Sequence, residues 1–204
     1  MTDGPAPVLA AELIRWSWVG DHLDDIRGYL FQHVELTGLA LLFGIVLAFP
    51  LALAAVRWPR LYGPILAFTG VLFTIPSLAL FILLILVRNM VEGLRGVDRD
   101  VREAAQAMGF SATRQLFQVE LPLALPVIMA GVRIATVTTI GLVTITALIG
   151  WGGLGRLFID GFTLDFTTPI VVGIVLSAAL AFTADLLLVA VQRQLTPWAR
   201  SRRS

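Results

Sequence analysis

Cysteine and lysine are both absent from this 204-residue chain, so all 15 of its basic residues are arginine. Without cysteine the redox compartment cannot be inferred, and a thiolate metal site is excluded. Charged residues amount to only 14% of the chain, against about 25% in an average soluble domain. No basic stripe with interleaved aromatic side chains occurs, which argues against nucleic acid as a partner.

Signatures of catalysis and of secretion are also missing. The phosphate-binding pattern G-x-x-x-x-G-K-[ST] occurs nowhere, and no nucleophile lies in a pattern with a base, so no catalytic residue is assigned. The two histidines, His22 and His33, are too few for a metal site, and interfacial hydrogen bonding is the favoured role for them. Asp3 and Glu12 precede the first apolar run without a basic region, so no cleavable signal peptide is expected.

Apolar residues make up 57% of the chain, and the mean hydropathy is +0.86. They lie in long blocks, which predicts an all-α, polytopic membrane protein. Residues 1–28 are interpreted as an amphipathic periplasmic lead-in, residues 29–192 as the transmembrane domain and residues 193–204 as a basic cytoplasmic tail. The predicted apolar blocks are 30–56, 61–87, 121–149 and 170–191.

Arginine distribution in the short loops predicts the orientation. The tail and the turn at Arg57 and Arg60 should both be cytoplasmic, as should the polar stretch 88–120. Two cytoplasmic segments must be separated by an even number of crossings, yet the block 61–87 is long enough for only one. Three explanations remain open at this point: a re-entrant hairpin, a failure of the topology rule, or a missing stretch of chain.

The polar stretch predicts a helix, an elbow and a second helix. Asp98 is a good N-cap for a helix over residues 99–108, and Gly109 is placed to end it in the left-handed conformation. Ser111 can cap a second short helix through Phe117, after which Pro122 opens the next span in its first turn.

This stretch carries a family signature. Glu103-Ala104-Ala105, Gly109 and Val119-Glu120-Leu121-Pro122 resemble, at matching spacing, the cytoplasmic motif of binding-protein-dependent ABC permeases. The resemblance implies the fold of a type I ABC importer permease, a transmembrane helix bundle with a cytoplasmic coupling helix. It also implies that this helix docks on a separate ATPase, which would bind ATP and Mg²⁺. The residues expected to couple to that ATPase are Arg102, Glu103, Ala104, Ala105, Met108 and Gly109.

Three further segments, 73–80, 121–128 and 147–155, are similar to those of glycine betaine/carnitine/choline permeases, and the similarity extends over about residues 30–198. It implies uptake of quaternary-ammonium osmolytes across a bacterial inner membrane. The implied partners are two ATPase subunits, a second permease copy or a related one, and an extracytoplasmic solute-binding protein. Family members carry a further loop and span that is missing here. We therefore expect a span of about 20 residues to be absent near 81–84, either by natural deletion or because the numbering closes over it.

Pathway and gate residues are predicted in three places. A proline within a span breaks the helix where it faces protein or a wet cavity, and threonine hydroxyls can line a mildly polar wall. Dense glycine allows close backbone approach, and the resemblance suggests an external gate there. The residues are Thr74, Pro76, Ser77, Thr139, Thr144, Gly150, Gly152 and Gly153. A simple kink, hydroxyls that bond back to their own helix and an ordinary loop are the corresponding structural alternatives.

Charges inside the spans at Glu35, Arg133 and Asp185 could couple transport to protons, although an interhelical pair or snorkelling is the more ordinary role. Other functions stay open: an ABC permease for methionine, a sulfonate or a polyamine, an ion-coupled secondary carrier, or a membrane scaffold without transport activity.

Overall fold

The computed structural model describes residues 14–73, 78–147, 150 and 152–198, and every regular element in these ranges is helical. The all-α class is therefore confirmed. The elements are, in chain order, α1 Trp16–Asp21, α2 Leu23–Arg57, α3 Pro59–Phe73, α4 Leu78–Arg95, α5 Arg99–Ala107, α6 Ala112–Gln115, a π-helical turn Leu116–Glu120, α7 Leu121–Thr146, α8 Gly155–Thr163 and α9 Thr167–Leu195.

Within the described residues, three helices are long and apolar enough to cross a membrane: Leu23–Arg57, Ala112–Thr146 and Thr167–Leu195. The second of these joins α6, the π-helical turn and α7 into one 35-residue helix. The sequence predicted a separate helix from Ser111 through Phe117. That boundary is wrong, because the π-helical turn continues the helix into the span instead of ending it.

The main core lies where α4 packs between α2 and α7. Small side chains of α2 allow this close packing: Ala48, Ala52 and Ala55 are fully buried, and the Ile82 side chain of α4 lies directly against Gly44. A second, smaller cluster at the opposite end joins Ile26 of α2 to Leu154 and Leu157, with α1 and α9 packed around it.

The predicted block 61–87 is two helices in the structure. α3 ends at Phe73, α4 begins at Leu78, and the connecting residues 74–77 lie outside the described residues. α4 is one continuous helix through residues 81–84, and the missing span expected near these residues stays a prediction. At the N-terminus, α2 already begins at Leu23, inside the segment expected to be a lead-in.

Candidate functional sites at the two ends of the bundle

The end of the bundle predicted to be cytoplasmic carries a projecting helix, α5, which we call the lever. The Asp98 carboxylate accepts the Asp100 N–H at 3.0 Å and caps it, as predicted. Ala105 is buried at 1% exposure, whereas Ala104 is exposed. Only one of the two adjacent alanines is therefore available to a partner surface, because the other packs on the chain's own bundle.

Charged residues of the lever are accessible. Glu103 accepts a hydrogen bond from Arg99 Nε at 2.6 Å, in a pair whose side chains are both more than half exposed. Such surface pairs contribute little to stability, so a cation on a partner could replace Arg99. Arg102 is half-buried, and Met108 is 69% exposed at the end of the lever.

Gly109 forms the elbow after the lever. Its φ of +79° lies in the left-handed region, and Phe110 N–H bonds back to Ala105 O at 3.1 Å, which closes the end of the helix. A Cβ added at Gly109 would meet nothing within 4 Å. Backbone conformation, not crowding, is therefore the reason for glycine here, as the sequence predicted.

The junction between elbow and span contains residues that sequence reasoning missed. Ser111 Oγ accepts the Arg114 N–H at 3.4 Å, which confirms the predicted cap. Gln115 is buried, and its amide donates to Glu120 Oε1 at 2.7 Å across the π-helical turn. Pro122 lacks an N–H and its ring crowds the carbonyl four residues earlier, so a widened turn just before it relieves the clash. The leucine–proline pair was the only sequence signal for this feature.

Threonines predicted to line a pathway bond back to their own helix. Thr139 is fully buried, and its hydroxyl donates to Ala135 O at 2.6 Å. Thr144 donates to Ile140 O at 3.3 Å. These contacts are those of the structural alternative, and a pathway role for both residues stays a prediction. Thr74, Pro76 and Ser77 lie outside the described residues.

The opposite end carries the loop between α7 and α8, residues 147–154, which we call the outer loop; residues 148, 149 and 151 lie outside the described residues. Gly150 and Gly153 have φ values of +89° and +75°. Gly153 N–H donates to Gln32 Oε1 at 3.0 Å, and a Cβ at Gly152 would overlap that same side chain. Of the predicted gate glycines, Gly152 and Gly153 are thus held against α2, whereas a Cβ added at Gly150 would meet nothing within 4 Å.

His33 joins three segments at this end. It is fully buried; Leu154 N–H donates to its Nδ1 at 3.2 Å, and its Nε2 donates to Ile140 O at 3.0 Å. This pattern requires the neutral ring with its proton on Nε2. The interfacial hydrogen bonding favoured for His33 is therefore an internal bridge between α2, α7 and the outer loop. Among the described residues no group of three or more His, Cys, Asp or Glu could hold a metal ion.

Arg133 and Asp185 pair within the spans. Arg133 Nε and Nη2 donate to the two Asp185 carboxylate oxygens at 2.7 and 2.9 Å, linking α7 to α9. The side chains are 33% and 30% exposed. This two-point contact is the interhelical pair expected as the ordinary alternative to proton coupling, because each charge is neutralised by the other.

A groove of about 510 Å³ lies at the same end as the outer loop, between α1 and the α8–α9 connection. Its lining combines aromatic and charged side chains: Arg15, Ser17, Trp18, Asp21, Leu164, Asp165 and Phe166. Arg15 lies over the Phe166 ring at 5.0 Å, and the Trp18 ring meets that ring edge-on.

Comparison with known proteins identifies the family of this arrangement. The family described as binding-protein-dependent transport system inner membrane component matches residues 86–197, which include the lever, α7, the outer loop and α9. A choline transport system permease protein of Bacillus subtilis is 32% identical over 84% of this chain and 89% of its own length. An osmoprotectant import permease protein of Salmonella typhimurium is 35% identical over 85% and 94%.

Among solved structures, an inward-facing chain of the MetNI methionine ABC transporter matches with a TM-score of 0.78. The match covers 89% of this chain and 98% of that chain at 19% identity, which establishes the shared fold.

The alignment with the choline permease is 193 positions long but contains only 84% of the 204 residues of this chain, or about 171. About 22 positions of the choline permease in this alignment therefore have no counterpart here.

Proposed function

This chain belongs to the family of binding-protein-dependent transport system inner membrane components, and from that membership we propose that it lines the pathway of an ABC importer for small quaternary-ammonium solutes. It is a multi-pass inner membrane protein and a permease component, as the resemblance predicted. The proposed solute class rests on the relatives, which are named for choline, glycine betaine and carnitine.

One observation carries the proposed mechanism. The helix Ala112–Thr146 begins beside the elbow at Gly109 and ends at the outer loop. Its 35 residues extend about 52 Å at 1.5 Å per residue, long enough to pass through the whole bilayer. A displacement of the lever can therefore reach Ile140 and Thr144, which contact His33 and Gly155 at the opposite end.

The ATPase is proposed to be a separate chain that binds ATP and Mg²⁺ and receives the lever. Exposure of Glu103, Ala104 and Met108 supports this, because these residues form a surface free to be covered. Two ATPase subunits and a second permease, identical or related, would complete the pathway. Closure of the ATPase pair would move the levers, and the long helix would then shift the contacts of the outer loop.

An extracytoplasmic binding protein is proposed to deliver the solute at the outer end. The groove between α1 and the α8–α9 connection supports this role, because its mixed charges and half-buried aromatic rings suit a polar, reversible protein contact. Specificity would then reside largely in that binding protein, and the permease would need no tight site of its own.

Gly109→Val tests the lever directly. A β-branched residue at φ +79° costs about 1–2 kcal/mol of backbone strain and shifts the elbow, so we expect solute-stimulated ATP hydrolysis to fall at least tenfold while membrane insertion is unchanged. Gly28→Val is the matched control, because its Cβ also meets nothing within 4 Å but lies on an ordinary helix. Normal stimulated hydrolysis in the Gly109 variant would contradict the proposal.

The solute class is tested separately in proteoliposomes that contain the permease, its ATPase and its binding protein. We expect ATP-dependent uptake of choline, glycine betaine or carnitine and none of methionine, a sulfonate or a polyamine. Uptake of one of those other solutes would show that the proposed solute class is wrong, but the assignment as an ABC importer would stand. Uptake without the ATPase would point to an ion-coupled carrier and refute the importer itself.

A further inference from the structure

The two helices between α2 and the lever are short for a membrane. α3 has 15 residues and α4 has 18, which correspond to about 22 and 27 Å at 1.5 Å per residue. The hydrocarbon core is about 30 Å thick. The last eight residues of α4 also include three charges, at Arg88, Glu92 and Arg95, so its apolar part is only the ten residues 78–87.

The start of α3 and the end of α4 lie on the same side of the bundle, beside the end of α2. Arg95, the last residue of α4, donates through Nη2 to Ala55 O in the last turn of α2 at 3.2 Å. Its guanidinium also lies 3.9 Å from the ring centroid of Tyr62, in the first turn of α3. The end of α4 is thus beside the start of α3, and the two helices run antiparallel.

The contact between α4 and α2 shows how far the α3–α4 pair extends along the axis of α2. Ile82, near the start of α4, lies against Gly44. Gly44 is 13 residues before Arg57, about 20 Å along the helix axis. The uncharged stretch of α2 extends further, over the 21 residues 36–56, or about 31 Å. α3, which starts level with the end of α2, ends about 9 Å short of the far end of that stretch.

From these lengths and contacts we propose that α3 and α4 form a re-entrant hairpin: α3 enters the membrane from the cytoplasmic side without crossing it, and α4 returns to the same side. The chain then crosses the membrane three times, through α2, Ala112–Thr146 and α9. The roughly 22 positions of the choline permease alignment without a counterpart here amount in total to about one membrane-spanning helix, the length of the span expected to be missing from this part of the chain. Arms longer by that length could cross the membrane twice, so their loss would preserve the sidedness of the lever.

Arginine distribution supports three crossings. With a re-entrant hairpin, the arginines on the cytoplasmic side are 57, 60, 88, 95, 99, 102, 114, 193, 200, 202 and 203, against 15, 27 and 156 outside. If the hairpin instead counted as one crossing, the five arginines from Arg88 to Arg114 would move outside together with the lever.

Single cysteines can test this cleanly, because the chain has none of its own. The probes are Gly28→Cys, Arg60→Cys and Glu92→Cys, labelled with a membrane-impermeant maleimide in vesicles of each orientation. Residues 28, 60 and 92 are all exposed, and Gly28 has open space around its Cβ. Labelling after detergent solubilisation shows that each thiol is reactive, and Gly63→Cys replaces Arg60→Cys if the latter does not insert.

We expect Gly28→Cys to be labelled only from outside, and Arg60→Cys and Glu92→Cys only from the cytoplasmic side. Because residues 60–92 are too few to cross twice, cytoplasmic labelling of both ends establishes the re-entrant hairpin. Labelling of the two ends from opposite sides would overturn it, and so would labelling of both from outside. The result does not depend on which solute is transported.

Discussion

His33 illustrates how much one side chain contributes at the end of the bundle that carries the outer loop. Its two ring nitrogens bond to backbone groups that are 107 and 121 residues away in sequence, at Ile140 and Leu154. Nothing local in the sequence distinguishes His33 from His22, which instead bonds to Trp18 O in its own turn and stacks on the Trp18 ring.

His33→Leu should therefore destabilise the outer loop. The variant leaves Leu154 N–H without its acceptor in a buried site, which costs about 1–3 kcal/mol. We expect a lower Tm in detergent and faster proteolysis of the outer loop, whereas His22→Leu, the matched control, should show much smaller changes. Equal effects of the two variants would mean that the bridge has no structural importance.

Glycine is required at position 153 both by the backbone conformation and by the limited space beside His33. Its φ is +75°, and an added Cβ would lie 3.1 Å from His33 Nδ1. We expect Gly153→Ala to cost about 1–2 kcal/mol of stability and to loosen the outer loop. Gly141→Ala in α7 is the control, because its Cβ meets nothing within 4 Å on an ordinary helix. A Tm for Gly153→Ala equal to that of the control would contradict this account.

At the scale of elements, the Arg133–Asp185 pair links α7 to α9. It stabilises the bundle because each charge neutralises the other. Arg133→Leu or Asp185→Leu alone leaves one charge unpaired inside the spans, which is costly, whereas the double variant leaves none. We expect each single variant to lower the Tm more than the double variant does.

The exposed pair Arg88–Glu92 provides the control for that experiment. Its side chains are 68% and 51% exposed, and surface pairs contribute only about 0–1 kcal/mol. The same three leucine variants there should differ little from one another. Additive losses at Arg133 and Asp185 would show that the two charges are not coupled.

Elements differed in how far the sequence predicted them. The sequence predicted the lever correctly from its cap at Asp98 to the elbow at Gly109, because helix capping and a left-handed glycine are local effects of neighbouring residues. The π-helical turn at Leu116–Glu120 was missed, because it depends on the buried Gln115–Glu120 contact as well as on Pro122.

At the scale of the whole molecule, the informative signal was that an even number of membrane crossings must separate two cytoplasmic segments. The arginine distribution predicted that Arg57 and the lever share one side, although the block 61–87 is too short to cross twice. The structure divides that block into two antiparallel helices whose ends meet at Arg95. A re-entrant hairpin was among the explanations considered, and the contacts of Arg95 with Ala55 and Tyr62 support it.

The sequence by itself determined the all-α membrane class, the three long spans, the lever and the family, because hydropathy, capping and motif spacing each act over neighbouring residues. Only the tertiary structure decided how the spans join: that His33 bridges to Ile140 and Leu154, that Arg133 meets Asp185, and that α4 returns to the end of α2. These contacts bring together residues 40 to 121 positions apart, and their partners are selected by packing, which no local pattern encodes.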